Sequence, residues 1–264
     1  METTTEQLIA EVEDGIGWLT FNHPERRNAL TVAMTAALPG VLEQFADDDS
    51  ARVLVLKGAG DRAFVSGADI SEFEQRRASP EAIAKFDESG RRMAAAFADF
   101  PKPIVAMIRG FAMGGGLMMA MRADIRIAAE DSQFGIPAAR LGLGYGYQGV
   151  ENLVNLVGPA HANEILLTGG RFNADTALRW GLINRVVPVE QLEAETREVA
   201  GAIAENAPLT VAALRASIRQ TLLDPARRDM ETITEMIAAC FASEDYIEGR
   251  RAFMEKRRPE FTGR

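Results

Sequence analysis

The sequence predicts an α/β fold in which short buried strands alternate with helices, followed by a mostly helical C-terminal region. Three observations carry that expectation. Apolar runs at 52–57, 103–108 and 125–129 have the length of strands buried on both faces. Segments of helical period separate such runs, at 31–45 and 80–100, which orders the chain as crossover units with a largely parallel arrangement. After Gln148 the helical period dominates.

Each element has a local reason. Residues 8–12 and 16–21 cluster apolar side chains around Asp14-Gly15, a hairpin signal. Thr31 can cap a helix running to about Phe45, with Pro39 an expected kink. The strand at 52–57 ends at Gly58, and GAGDRAFVSGADISEF reads as a loop. Pro80 opens a helix to about Phe100, and a second buried strand, 103–108, runs into the triple glycine Gly114-Gly115-Gly116 and a short helix. A strand follows at 125–129. Helices are then expected at 150–157, 160–167 and 174–179, a short strand at 184–187, and long helices from Glu190, Leu209 and Arg228. The expected division is an α/β core over 1–190 and a helical region over 191–264 whose apolar positions, Met230, Ile233, Met236, Ile237 and Phe241, suit a cover for its own core or a neighbour's.

Composition narrows the function. The chain has 264 residues, 47% hydrophobic and 25% charged, with a net charge of −9. Basic residues form no stripe beyond short runs such as Arg26-Arg27 and Arg257-Arg258, so a nucleic-acid partner is not expected. A single cysteine, Cys240, excludes an intrachain disulfide and a cysteine-based metal cluster. METTTEQLIAEVED is acidic and has no apolar core of a signal peptide, and no run reaches the length of a membrane span. A cytoplasmic protein without a membrane partner is the expectation.

Gly144, Gly146 and Gly149 fit G-x-G-x-x-G, but that motif needs a preceding strand, and Gly135-Ile136-Pro137 breaks the run before it. His23 lies in a turn and His161 in a helix, and two histidines make a histidine-based metal site improbable. The triple glycine is the better candidate. Amides at a helix start are unpaired, and glycine lets a ligand oxygen approach. The loop Ser66-Gly67-Ala68-Asp69-Ile70 offers the same opportunity, and one amide from each would make an oxyanion hole. From spacing alone, tight strand–helix packing explains the glycines equally well.

The order NHPERRNAL, AFVSGADI, KPIVAMIRGFAMGGG, ADIRIA, FGIPAARLGL, LLTGGRFNADTALRWGLINRVV and FMEKRRPEFTGR resembles the crotonase superfamily, the enoyl-CoA hydratase/isomerase enzymes, over nearly the whole chain. The resemblance implies a spiral of ββα units, a helical C-terminal trimerisation region and a homotrimer or homohexamer. It implies an acyl-CoA thioester substrate, with coenzyme A entering as part of that substrate and no separate cofactor or metal. It places the oxyanion amides on Ala68 and Gly115, with Ser66, Asp69, Ile70 and Gly114 around them. Phe253 and Lys256 would lie near the coenzyme A of this subunit or a neighbour.

Hydratases of the superfamily carry one glutamate three residues after the oxyanion glycine and another after the proline of F-G-x-P. Here those positions hold Met118 and Ala138. Adding water needs a general base and a general acid, and neither side chain is one. Arg140, Tyr145, Tyr147 and Glu151 remain nearby in sequence. LGLGYGYQGVENLVNLVG and the tail SEDYIEGRRAFMEKRRPEF are similar to methylmalonyl-CoA decarboxylase of the same superfamily, where a tyrosine matching Tyr145 lies beside the substrate carboxylate. That enzyme has a histidine where this chain has Ala68. The expected chemistry is therefore a thioester enolate formed without the glutamates, decarboxylase-like, with Tyr145 orienting the substrate or donating a proton. The alternatives are a hydratase or isomerase that recruits Glu151 or Asp69, and an acyl-CoA-binding protein with little catalysis. Phe73, Phe86 and Met93 are candidates for setting acyl size.

Overall fold

The computed structural model describes residue 1, residues 3–72 and residues 79–264. The hairpin forms as expected, with β1 (Leu8–Glu13) and β2 (Ile16–Phe21) antiparallel about the left-handed pair Asp14 and Gly15. Helix α1 (Val32–Asp47) is capped by the Thr31 hydroxyl, which accepts from the Met34 N–H, and it runs on through Pro39.

From there the chain repeats one unit. Strand β3 (Val53–Gly58) joins a large sheet and β4 (Ala63–Val65) a small one, and helix α2 (Pro80–Asp99) leads back. The next turn is β5 (Ile104–Ile108), β6 (Phe111–Met113) and α3 (Gly115–Ala120); the third is β7 (Ile125–Ala129), β8 (Gln133–Gly135) and α4 (Tyr147–Thr168). Strand β9 (Arg171–Asn173), α5 (Ala174–Arg179) and β10 (Arg185–Val187) close it. The large sheet has the order β1-β2-β3-β5-β7-β10, parallel from β2 onward, and the small sheet the order β4-β6-β8-β9, with only the β8–β9 pair antiparallel. Successive ββα turns thus advance by one strand in each sheet, which is the crotonase-type spiral.

The continuous apolar runs of the large sheet are explained by cover on both faces. Leu54 and Leu56 of β3 face a core shared with α1 and the small sheet, including Met34, Leu38, Phe45 and Phe64. Val53 and Val55 alternate to the other face, where Trp18, Val105 and Ile127 meet Leu192 and Ala200 of α6 (Leu192–Ala204). The first helix after position 190 is therefore a layer on the large sheet.

Helix α7 (Pro208–Thr221) is tied to the core through Arg215, whose Nε donates to Asp124 at 2.7 Å while Asp124 also accepts from the Ile104 N–H. Helices α8 (Met230–Ala242) and α9 (Glu244–Glu255) follow, and the last residues return to α9, with Thr262 N and Gly263 N donating to the buried Asp245 carboxylate. The two helical segments expected at 150–157 and 160–167 are the halves of α4, bent at Gly158 (φ 73°) before Pro159. Among the described residues, no helix is long and apolar enough to cross a membrane.

Candidate active site

The candidate site lies beyond the carboxyl ends of three neighbouring parallel strands of the small sheet. Strand β4 leads to Ser66–Asp69, β6 to Gly114–Gly116, and β8 through Ile136 and Pro137 to Ala138. The pairings of Val65 with Ala112 and of Met113 with Gly135 set the three ends side by side. Gly114 N–H donates to Gly135 O at 2.8 Å and locks the second to the third.

Each glycine of the triplet has its own reason. Gly114 has φ 51° and ψ −114°, a backbone that side chains resist. A β-carbon on Gly116 would stand 1.8 Å from Val65 O, so this glycine allows α3 to lie against β4. Gly115 needs neither freedom. A β-carbon there would meet only ordinary contacts, the nearest being the Ala68 amide nitrogen at 3.6 Å. Of the two readings left open by the spacing, tight packing accounts for Gly116 and does not account for Gly115.

The loop after β4 is shaped to match. Gly67 has φ 121° and a β-carbon on it would sit 3.2 Å from Met113 O, so the two loops interlock. Ser66 N donates to Arg27 O, Leu30 N to Gly67 O, and Asp69 N to Leu30 O. Between these bonds the Ala68 N–H has no partner among the described residues, and Gly115, as the first residue of α3, has no preceding helical carbonyl. At six residues α3 carries little macrodipole, so the donors are the individual N–H groups.

The side chains that follow Gly115 along α3 and Pro137 after β8, Met118 and Ala138, are apolar. Met118, one turn along α3, and Tyr145 both press into the notch at Gly149, where a β-carbon would stand 2.6 Å from Met118 Cε and 3.0 Å from Tyr145 Cε1. Met118, Ala138 and Tyr145 are half-buried and pack against the main core. The Tyr145 hydroxyl is buried and has no hydrogen-bond partner among the described residues, and burial pushes its phenol above the ordinary tyrosine value. Gly149 gave no signal beyond its place in the G-x-G-x-x-G decoy; that stretch follows a 3-10 turn, Pro137–Leu141, rather than a strand.

The carboxylates close to the site in sequence are engaged elsewhere. Asp69 caps the 3-10 turn Ile70–Glu72, accepting from Ser71 Oγ at 2.7 Å and Ser71 N at 2.9 Å. The Ser71 hydroxyl holds the Asp69 carboxyl below the usual range, against the opposing effect of burial. Glu72 accepts from Val32 N, and Glu151 from Gln148 Nε2. Arg140 donates to Thr168 O at the end of α4. Ser66 is half-buried, its hydroxyl on Arg26 O. The Ile70 side chain and Phe73 lie outside the described residues, Met93 packs against the main core, and Phe86 is partly exposed on α2. Phe253 (83% exposed) and Lys256 stand in solvent at the end of α9, apart from the strand ends in sequence. His23 pairs with Glu25, and His161 stacks on Trp180. Among the described residues, no three His, Cys, Asp or Glu side chains gather where they could share a metal ion.

Comparison with known proteins agrees with this architecture. The family model described as enoyl-CoA hydratase/isomerase matches residues 11–264. The chain is 36% identical to a crotonyl-CoA hydratase of Syntrophomonas wolfei, covering 97% of this chain and 98% of that one. It is 38% identical to a carnitinyl-CoA dehydratase of Proteus mirabilis, covering 90% and 92%. A crystal structure of an enoyl-CoA hydratase/carnithine racemase from Magnetospirillum magneticum superposes with a TM-score of 0.93 at 35% identity, over 99% of this chain and 97% of that one.

Proposed function

The chain belongs to the enoyl-CoA hydratase/isomerase family, and on that premise we propose that it forms a thioester enolate without the two hydratase glutamates, by removing CO2 from an acyl-CoA that carries its own carboxylate. One observation carries the reading. Among the Met118, Ala138 and Tyr145 side chains the one polar group is the Tyr145 hydroxyl, and it is buried without a hydrogen-bond partner among the described residues. A buried polar group left unpaired costs about 1–3 kcal/mol, which a substrate oxygen would relieve.

Decarboxylation needs no base. The bond between the α-carbon and the carboxylate breaks, its electron pair passes into the thioester, and the carbonyl oxygen takes the charge. The Ala68 and Gly115 amides face that oxygen and stabilise it. The carboxylate leaves as CO2, and the α-carbon then takes a proton from the Tyr145 phenol or from water. An apolar wall favours such a substrate, because two carboxylates about 4 Å apart repel by roughly 4 kcal/mol at an effective dielectric of 20. Coenzyme A enters and leaves as part of the thioester, with no further cofactor. Residues 1–190 carry this site, α6 covers the large sheet, and the helices after it in 191–264 join copies into a trimer or hexamer.

Hydration or isomerisation is the second reading, favoured by the names of the relatives. It requires Glu151 or Asp69 to leave its present partner. The test is mass spectrometry of malonyl-, methylmalonyl- and ethylmalonyl-CoA incubated with the protein, beside crotonyl-CoA. CO2 loss from one of the first three, lowered by at least about tenfold in Tyr145→Phe, is the expected result, tenfold being one hydrogen bond of roughly 1.4 kcal/mol. No loss from any of them ends the decarboxylase reading. If every thioester is bound and none changed, the chain is an acyl-CoA-binding protein.

A further inference from the structure

Asn28 is fully buried, and both ends of its side-chain amide are held by three segments of backbone. Its Oδ1 accepts from His23 N at 2.9 Å, and its Nδ2 donates to Ala59 O at 2.9 Å and Ala63 O at 2.8 Å. These partners are the start of its own turn, the residue just past β3, and the first residue of β4. A β-carbon on Gly58 would lie 2.7 Å from Nδ2 and 2.3 Å from Ala63 O, so the chain is built closely around this amide.

Asn28 and Arg27 both have φ 55°. Two successive left-handed residues without glycine are unusual, and asparagine tolerates that region best. The turn they make directs the next residues along the loop after β4. Arg27 O then receives Ser66 N at 3.1 Å, Leu30 N donates to Gly67 O at 2.7 Å, and Leu30 O receives Asp69 N at 3.0 Å. These bonds flank Ala68 on both sides and leave its N–H unclaimed.

We infer that Asn28 is a positioning residue for the oxyanion hole: by fixing the turn that brackets Ser66–Asp69, it aims the Ala68 N–H at the thioester oxygen. The inference rests on the oxyanion assignment above. Asn28 touches no substrate atom in this scheme. Its loss leaves the donor present but misdirected, so polarisation of the carbonyl falls further than coenzyme A affinity.

The test reads polarisation directly, with isotope-edited infrared spectroscopy of acetyl-CoA labelled at its thioester carbonyl. Hydrogen bonds to the oxygen lower the stretching frequency. The variants are Asn28→Asp, which keeps the acceptor for His23 N and loses both donations, and Asn28→Gly, which suits the positive φ. We expect the wild type to lower the frequency on binding and both variants to lower it less, at acetyl-CoA affinity within about threefold. Turnover of any thioester the wild type processes should fall about ten- to a hundredfold. A folded variant with the full wild-type shift overturns the inference. So does loss of folding or acetyl-CoA binding in both variants, which would make Asn28 a folding residue. Absence of a shift in the wild type removes the oxyanion assignment itself, an outcome distinct from the Asn28 comparison.

Discussion

The Ala68 amide nitrogen lies 3.6 Å from the point where a β-carbon on Gly115 would stand. Two N–H groups without partners among the described residues, from consecutive turns of the spiral, therefore lie close together, with no side chain at 115 between them. The neighbouring glycine has the opposite role, with its absent β-carbon replaced by backbone from β4.

Exchanging these glycines for alanine should separate function from folding. Gly115→Ala meets only van der Waals contacts at the first helical position, so thermal stability should hold. Acyl-CoA turnover should fall by roughly 10²–10³-fold, the size of one blocked donor. Gly116→Ala puts a methyl 1.8 Å from Val65 O and should lower the melting temperature or prevent folding. A Gly115→Ala protein with full activity would remove the oxyanion assignment.

Hydration should be weak. On the proposed reading Met118 and Ala138 stand where the resemblance places the hydratase carboxylates, and each missing acid or base is worth about 10²–10⁴-fold. Crotonyl-CoA turnover, followed by loss of enone absorbance, should lie orders of magnitude below a family hydratase. The double variant Met118→Glu, Ala138→Glu should raise it. Fast hydration by the wild type would show that Glu151 or Asp69 does leave its partner.

The large sheet was legible because strands of five or six residues buried on both faces leave continuous apolar runs, as in VLVLKG and IVAMI. The small sheet was not. Its four strands, AFV, FAM, QFG and RFN, have three residues each, too few for a period of two to appear, and the first lay inside a segment read as loop. Yet these strands lead to the candidate site, so its residues were proposed through glycine motifs and family resemblance rather than through elements. The bend in α4 was visible as Gly158-Pro159 between two helical segments. The expected kink at Pro39 did not end α1, because tertiary burial of Met34, Leu38, Val41 and Leu42 holds both sides of it. Asn28 stood inside the quoted NHPERRNAL, but nothing in that stretch set it apart, because its partners lie as far as 35 residues away.

Tyr145 should leave a mark on alkaline stability. Burial raises its phenol above the ordinary value of 10.0, so the folded chain keeps a proton that the unfolded chain loses. Stability must then fall as pH rises past about 10, because unfolding releases that proton. Denaturant unfolding between roughly pH 9 and 11 should show a steeper loss for the wild type than for Tyr145→Phe. Equal slopes would mean that the phenol reaches solvent.

The C-terminal helices should join copies of the chain. Leu214, Ile218 and Leu222 recur every four residues along α7 and its cap, and are 60%, 65% and 60% exposed. Phe241 on α8 and Phe253 and Met254 on α9 are 64%, 83% and 81% exposed. Apolar stripes on consecutive helices are more than a monomer surface ordinarily carries, and burying one such side chain is worth about 1.5–3 kcal/mol. Sedimentation at micromolar concentration should give a trimer or hexamer, and Leu214→Glu with Ile218→Glu should shift it toward smaller species. If Phe253 and Lys256 serve the coenzyme A of a neighbouring copy, the dissociated variant should also bind acyl-CoA more weakly, with its spiral core still folded by circular dichroism. A stable wild-type monomer would count against the assembly and against the role of these two residues, since on a lone chain both remain in solvent.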